Sequence, residues 1–221
     1  MSTRNLNFKL MGPLEKMHNM AWECRLGIHS RGVIFTRKQL DYKHYATSSY
    51  SFIMRILRSL NMDRRDVFVD IGCGKGRVLC CASRFEIKEV IGVEIDDNLY
   101  KIARENVRKA HGKKSSIMII HASAIDFDFS LGTIYYLFDT YGESSLRITL
   151  AKMKESLRVH PRRFRIVYVN PVHETVFSQS KWLKMYDKWR AGEGFGIRND
   201  VSFWKPAFNF QKQAMGNRLT G

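Results

Sequence analysis

The sequence has no long apolar run and few cysteines. No stretch approaches the ~18 consecutive apolar residues of a transmembrane helix. Residues 1–30 have no continuous apolar core, so a secretory signal peptide is not expected. The four cysteines, Cys24, Cys73, Cys80 and Cys81, have no CxxC spacing, and an adjacent pair on one helix is poorly placed for a disulfide. These absences predict a reduced, cytoplasmic protein.

Acidic residues are also scarce. The chain has 21 Asp and Glu against 37 Lys and Arg, which gives a formal net charge of +16 and a pI of about 9.9. A field of this sign attracts polyanions, so nucleic acid or an acidic protein is a candidate partner, with a merely solvated basic surface as the alternative. The histidines His44, His121 and His173 lack metal-ligand spacing, so no metal site is predicted.

Short apolar runs alternate with helical segments through the middle of the chain. The runs occupy residues 67–70, 89–95, 117–121, 134–138 and 165–169, and helices are expected at 75–85, 97–111 and 143–159. Strands that are apolar almost throughout, separated by helices, indicate a mostly parallel sheet covered on both faces. Right-handed crossovers bring the carboxyl ends of these strands to one edge, where such folds bind ligands. Residues 172–221 are expected to complete the sheet.

The N-terminal region has a different character from the alternating segment. Residues 1–45 read as irregular, with Gly12-Pro13 among their breakers, and apolar residues recur at helical spacing from about residue 45 to 61. The run from Thr47 to Ser49 supplies candidate N-caps for that helix. We therefore divide the chain into a basic, helical extension at 1–61 and a ligand-binding α/β domain at 62–221.

A glycine-rich turn follows the first strand in the segment VFVDIGCGKGRVL, residues 67–79. Glycine at positions 72, 74 and 76 permits positive φ and lets a ligand approach the backbone closely. Dinucleotide sites use GxGxxG, but here the register is GxGxG and Arg77 stands where that pattern requires a small residue. Asp70 would also repel a pyrophosphate. A ligand with an ammonium group and no phosphate, such as S-adenosylmethionine, fits better than a dinucleotide, and a purely structural turn is the remaining alternative.

The sequence DIGCGKG resembles the first motif of class I S-adenosylmethionine-dependent methyltransferases, Asp-x-Gly-x-Gly-x-Gly, at all four defining positions. The resemblance implies a Rossmann-like methyltransferase fold with a seven-strand sheet, and S-adenosylmethionine as cofactor. It implies that Asp70 reaches the methionine amino group and that Glu94, at the end of the second strand, binds both ribose hydroxyls. The implied cofactor-binding set is Tyr45, Thr47, Asp70, Gly72, Cys73, Gly74, Glu94, Ile95, Ala124, Asp126 and Phe138.

The fourth strand ends at Phe138-Asp139-Thr140-Tyr141-Gly142, where the family places the methyl acceptor. Enzymes that methylate planar amino groups often carry Asn/Asp-Pro-Pro-Tyr/Phe there. This chain keeps the acid and the aromatic residue but lacks both prolines, which weakens the case for base amino methylation. We predict that Asp139 and Tyr141 face the acceptor as catalytic residues, holding an amine by hydrogen bond and ring face. The alternative is that Tyr141 packs beside the cofactor.

A second resemblance involves the segment Tyr45-Ala-Thr47-Ser-Ser-Tyr50 and the segment from Asn170 to His173. Both are similar to parts of the telomeric-silencing-disruptor type of histone lysine methyltransferases, and of small bacterial proteins with that layout. The match covers about residues 42–175 and implies that Tyr45 and Thr47 close over the methionine end. It does not transfer the substrate, because fold does not fix function.

Three functional hypotheses follow from the sequence. The first is a methyltransferase acting on a protein side-chain amine or on nucleic acid, for which the basic run at 158–165 offers phosphate contacts or only a solvated loop. The second is a methyltransferase for a small metabolite. The third is a non-catalytic nucleic-acid-binding module that retains the fold. The acceptor atom and the oligomeric state are left open by the sequence.

Overall fold

A computed structural model describes residues 12–32, 48–139, 142–193 and 199–208. Within these residues seven strands form one sheet in the order β3-β2-β1-β4-β5-β7-β6. The strands are β1 (Val67–Ile71), β2 (Glu89–Glu94), β3 (Ile117–His121), β4 (Ile134–Phe138), β5 (Arg165–Val169), β6 (Leu183–Trp189) and β7 (Val201–Pro206). The first five pair in parallel, and β7 is antiparallel to both β5 and β6. The predicted seven-strand, mostly parallel sheet is confirmed.

Helices cover both faces of the sheet, as predicted. They are α1 (Pro13–Leu26), α2 (Tyr50–Ser59), α3 (Arg77–Ala82), α4 (Asp97–Lys109), α5 (Glu143–Val159) and α6 (Glu174–Gln179), and a 3₁₀ turn spans Ala124–Asp126. Ser49 is the N-cap of α2 and Asp96 that of α4; each side chain accepts a backbone N–H three residues on. In the part of the chain that the structure describes, no helix is long and apolar enough to cross a membrane.

Two buried clusters flank the sheet and explain the uninterrupted apolar strands. Alternate β1 residues point to opposite faces: Phe68 packs with α2 and α3, whereas Val69 packs with α5. The neighbouring β4 follows the same rule, with Tyr136 on the first face and Tyr135 on the second. Because both faces are covered, each of these strands is apolar on both sides.

The structure corrects the expectation that residues 1–45 are irregular, because α1 is a helix of 14 residues. Its buried side chains include the polar Asn19 and Glu23 beside Leu26, whereas Leu14 and Met17 are exposed. The usual apolar stripe is therefore absent, and no helical period of apolar residues marks the segment. The division of the chain at residue 61 stays a prediction, although α2 belongs to the same buried cluster as β1.

The helix after the glycine turn is shorter than the predicted 75–85. It begins at Arg77 because Gly76, at φ 79°, still has the left-handed conformation of the turn. It ends at Ala82, and Ser83 closes it through a backbone hydrogen bond to Leu79. Shortening α3 at its start leaves the whole sequence from Gly72 to Gly76 available as a loop at the carboxyl edge of the sheet.

Candidate cofactor site and acceptor edge

The glycine loop is tied to the end of the neighbouring strand β2. Gly72, Gly74 and Gly76 have φ values of 76°, 56° and 79°, all in the left-handed region that favours glycine. The amides of Gly72 and Cys73 both donate to the Val93 carbonyl, at 2.8 and 3.0 Å. The loop therefore folds back over the carboxyl end of β2, which brings Asp70 and Glu94 to one place.

Glu94 is buried and accepts three backbone hydrogen bonds. Its Oε2 accepts from the Gly74 amide at 2.7 Å, and its Oε1 accepts from the amides of Ile95 and Asp96, each at 2.9 Å. Burial raises the pKa of this carboxyl, and the three amides oppose that shift. A carboxylate offers about four acceptor positions, so this conformation leaves one, on Oε2, for an incoming hydroxyl.

Asp70 lies in the middle of the sheet, between Gly92 of β2 and Tyr136 of β4. Its exposed fraction is 3%, and none of the described residues donates a hydrogen bond to its carboxylate. Burial raises the pKa of Asp70 well above its usual value, and the nearby Glu94 raises it further. In the described part of the chain neither acid forms an ion pair with a basic side chain, so this edge suits a ligand that brings a positively charged group.

The predicted adenine-side residues lie beyond β3. The loop there is held against the end of β2, because the Ala122 amide donates to the Glu94 carbonyl at 3.0 Å. Ala124 is buried at the start of the 3₁₀ turn, and Asp126 at its end is exposed. Ile95 is partly exposed and continues directly from Glu94. Glu94, Ile95, Ala124 and Asp126 thus lie at the carboxyl edge of the sheet, and their contacts with the cofactor stay a prediction.

Cys73 stabilises the glycine loop through its backbone and its side chain. Its backbone amide donates to the Val93 carbonyl, and its own carbonyl accepts from the Gly76 amide at 2.9 Å. Its side chain belongs to the buried cluster beneath the loop. Burial raises the pKa of its thiol well above the usual value, with the carboxyl of Asp70 adding to the shift. The residue shapes the loop, and its predicted contact with the cofactor stays a prediction.

At the acceptor edge the predicted residue Asp139 is hydrogen-bonded to a residue that was not predicted to belong to the site. Asp139 follows β4, and its Oδ2 accepts from Nδ2 of Asn170, which follows β5, at 3.0 Å. Both residues have positive φ, at 40° and 49°. Phe138, the last residue of β4, is partly buried against the cluster beneath α3. Three predicted site residues, Tyr45, Thr47 and Tyr141, lie outside the described residues.

A buried polar network behind the glycine loop was not foreseen. Arg77 forms an ion pair with Glu23 of α1 at 3.3 Å, and both side chains are almost fully buried. It also donates to Ser30 Oγ and to the Ser48 carbonyl, each at 2.8 Å, and lies 4.4 Å above the Tyr50 ring. Arg77, which distinguishes this loop from a dinucleotide-binding motif, thus anchors the N-terminal segment to the loop.

The basic run at 158–165 is located away from this site. Arg163 and Arg165 both form ion pairs with Asp66, at 3.3 and 3.2 Å. Asp66 immediately precedes β1, so these contacts lie at the amino edge of the sheet, opposite the glycine loop. This part of the basic run has a structural role. Among the described residues no group of three His, Cys, Asp or Glu side chains is placed to hold a metal ion.

Comparison with known proteins agrees with this geometry. Residues 36–128 match the family model of the histone methylation protein DOT1. A protein-lysine N-methyltransferase of Saccharolobus islandicus is 29% identical over 130 residues, which are 58% of this chain and 80% of that relative. The rRNA N(6)-adenosine-methyltransferase metl-5 of Caenorhabditis elegans is 32% identical over 80 residues, or 34% of this chain and 37% of that protein.

The fold also has solved relatives. An RNA methyltransferase from Salinibacter ruber, in complex with S-adenosyl-L-homocysteine, superposes with a TM-score of 0.52 at 21% identity. The superposition covers 72% of this chain and 93% of the Salinibacter chain. The chain is a methyltransferase, and its fold is that of the class I S-adenosylmethionine-dependent enzymes. The predicted enzyme class is thereby confirmed. The methyltransferase carries its two buried acids at the edge where the sequence placed the cofactor.

Proposed function

We propose that this methyltransferase binds S-adenosylmethionine across the carboxyl ends of β1 and β2, and transfers its methyl group to an acceptor held beyond β4. The observation that supports this most strongly is the buried Asp70 carboxylate without a donor among the described residues. The donor fits this site because it has a methionine ammonium group and no phosphate. When bound, it supplies a methyl group activated by a sulfonium.

Each residue then has a defined task. Asp70 accepts hydrogen bonds from the ammonium group, an interaction that is strong because both partners are charged. Because three backbone amides occupy Glu94, it accepts one ribose hydroxyl, at the position left on Oε2, and not both as the family resemblance implied. Ala124 and Asp126 line the adenine side, and the Gly72 and Gly74 backbone passes beneath the cofactor. The protein contributes mainly alignment of donor and acceptor for an in-line displacement.

For the acceptor we propose a protein lysine side chain. The name of the Saccharolobus islandicus relative and the match to the DOT1 family model both favour it. Methylation of an adenine amino group in RNA is the second candidate, favoured by the metl-5 similarity and by the net charge of +16. The absence of both prolines after Asp139 places RNA second.

A labelling experiment separates these acceptors. The protein is incubated with methyl-tritiated S-adenosylmethionine and either core histones or ribosomal subunits, and the products are digested with protease or with ribonuclease. We expect label in protein, located on lysine, and none with Asp70→Asn. Label in RNA alone would replace the lysine proposal by the second candidate. Absence of label in both, with S-adenosylhomocysteine still bound, would contradict both and favour a small-molecule acceptor.

We also propose that the protein works in a reducing compartment, the cytoplasm. Cys73, Cys80 and Cys81 are free thiols buried in the core, and Cys24 is free and exposed. An oxidising compartment would expose Cys24 to intermolecular pairing. Equal melting temperatures with and without a thiol reductant would support this, and a stabilising disulfide found by mass spectrometry would contradict it.

A further inference from the structure

Two residues with unusual backbone conformation meet at the acceptor edge. Asp139 and Asn170 each follow the last residue of a strand, and those last residues, Phe138 and Val169, are paired in the sheet. Among the described residues, the non-glycine residues with positive φ are Asn61, Asp139 and Asn170. Two of these three are therefore hydrogen-bonded to each other at one edge. Such conformations persist only where the surroundings fix them, and they cluster at functional sites.

The hydrogen bond between them sets which atoms a ligand meets. Asn170 donates through Nδ2 to Asp139 Oδ2 at 3.0 Å, so the amide oxygen of Asn170 is at the other end of its amide group. The backbone amide of Asp139 donates to the Val169 carbonyl at 3.1 Å, and that of Asn170 donates to the Asp200 carbonyl at 2.8 Å. The pair is thus anchored at both ends and presents carboxylate and amide oxygens, which only accept hydrogen bonds.

The sheet order places this pair beside the cofactor site. The strand order β2-β1-β4-β5 reverses direction in the chain between β1 and β4, and ligands of such sheets bind at that switch point. Asp70 and Glu94 occupy β1 and β2, so the ends of β4 and β5 face the part of the cleft left for the acceptor. Acceptor-only atoms at that place suit a nitrogen that carries N–H groups.

We propose that Asn170 is a positioning residue which holds Asp139 so that the pair binds the N–H groups of an acceptor amine. This rests on the proposed function, because it requires the donor to lie over β1 and β2. In the reaction the acceptor nitrogen bonds to the methyl carbon, the carbon–sulfur electron pair stays on sulfur, and the surplus proton on nitrogen passes to solvent. Asn170 acts through Asp139, by fixing the orientation of that carboxylate.

Sinefungin tests this without knowledge of the acceptor. This analogue replaces the S–CH3 group of the donor by CH–NH3⁺, so it places an ammonium group where the methyl group is carried. Calorimetry gives the dissociation constants of sinefungin and S-adenosylhomocysteine, and their ratio isolates the contribution of that ammonium group. We expect the wild type to prefer sinefungin at least tenfold, since a hydrogen bond to a charged group contributes about that much.

Asn170→Gly is the informative variant, because glycine adopts the observed φ of 49° without strain while the amide is lost. The sinefungin preference should fall about tenfold, with the dissociation constant of S-adenosylhomocysteine unchanged. Asn61→Gly is the matched control, since it removes an asparagine at φ 43° outside the edge and should leave the preference intact. Asp139→Asn tests the pair from its other side and keeps a residue type that tolerates positive φ.

The double variant distinguishes positioning from an independent contact. If Asn170 acts through Asp139, adding Asn170→Gly to Asp139→Asn causes no further loss of the sinefungin preference. Losses that add, or an unchanged preference in Asn170→Gly with S-adenosylhomocysteine still bound, would overturn the proposal and leave the cofactor site standing. Failure of the wild type to bind either ligand would instead overturn the proposed function.

Discussion

The carboxylate of Asp70 should stabilise the bound cofactor and destabilise the protein without ligand. We consider Asp70→Asn, which keeps the shape of the side chain and removes its charge. Burial and the nearby Glu94 hold the pKa of Asp70 well above its usual value. The ionised carboxylate is therefore disfavoured in the folded protein relative to the unfolded chain, where it is hydrated.

The stability of the ligand-free protein should therefore depend on pH. The unfolded chain loses the Asp70 proton near pH 4, whereas the folded protein retains it to a higher pH. Between these two pKa values the folded state binds more protons, so its stability falls as pH rises and then stays lower. Asp70→Asn should remove this cost, and we expect no gain near pH 4 and a gain of about 1–3 kcal/mol near pH 8.

Thermal melting measures both halves of the prediction. In a chain of 221 residues, 1 kcal/mol shifts the melting temperature by about 2–4 °C. Without ligand at pH 8 the variant should melt above the wild type. Saturating S-adenosylhomocysteine should stabilise the wild type by about 2.7 kcal/mol at a hundred times its dissociation constant, and the variant by about 1.4 kcal/mol or less, since it binds at least tenfold more weakly. The advantage of the variant in melting temperature should therefore shrink or reverse when the ligand is added.

Asp97→Asn is the matched control, because that carboxylate is exposed and paired with Lys101 at 2.6 Å. Its loss should cause little change at either pH, since exposed ion pairs contribute little. The reasoning is refuted if Asp70→Asn lowers the melting temperature of the ligand-free protein at pH 8. It is refuted equally if the difference from the wild type is independent of pH.

Three further variants test the surroundings of the site. Glu94→Gln keeps only one acceptor oxygen, so its NH2 group must face a backbone amide that Glu94 now accepts, such as that of Gly74. We expect about 1–3 kcal/mol lower stability, and weaker cofactor binding by calorimetry. Gly92→Ala puts a Cβ 2.5 Å from Leu79 Cδ1, beneath the glycine loop, and should cost about 1–3 kcal/mol in urea unfolding. Glu23→Ala leaves buried donors and an arginine without their acid, and should cost about 3–5 kcal/mol in the same assay.

Two milder substitutions serve as matched controls for these variants. Gly12→Ala adds a Cβ that meets nothing within 4 Å, so it should be milder than Gly92→Ala. Glu105→Ala removes an exposed acid paired with Arg108 and should be milder than Glu23→Ala. Full stability of Gly92→Ala or Glu23→Ala would contradict the packing described around the loop. Unchanged cofactor affinity in Glu94→Gln would contradict the assignment of Glu94.

The strands and the cofactor edge could be predicted because their causes are local. A strand buried on both faces is continuously apolar, and β3, β4 and β5 have the bounds expected from that pattern. The glycine loop requires positive φ, so Gly72 and Gly74 reveal it in the sequence. Parallel strands end at one edge, which made the meeting of Asp70 and Glu94 predictable.

The remaining features depend on contacts between distant residues. Asn170 is significant only because β5 lies beside β4, which brings it to Asp139, 31 residues earlier. Arg77 was recognised only as a departure from a dinucleotide motif, since its partner Glu23 is 54 residues away on a helix with a polar buried face. Neither partnership leaves a local pattern in the sequence.

The central claim is that the edge formed by β1 and β2 binds S-adenosylmethionine through Asp70 and Glu94. Calorimetric titration of the wild type and of Asp70→Asn with S-adenosylhomocysteine, with NAD in parallel, tests it most directly. The account predicts binding of one S-adenosylhomocysteine per chain, no binding of NAD, and at least tenfold weaker binding by the variant. Binding of NAD, or equal affinity of the wild type and the variant for S-adenosylhomocysteine, would contradict it.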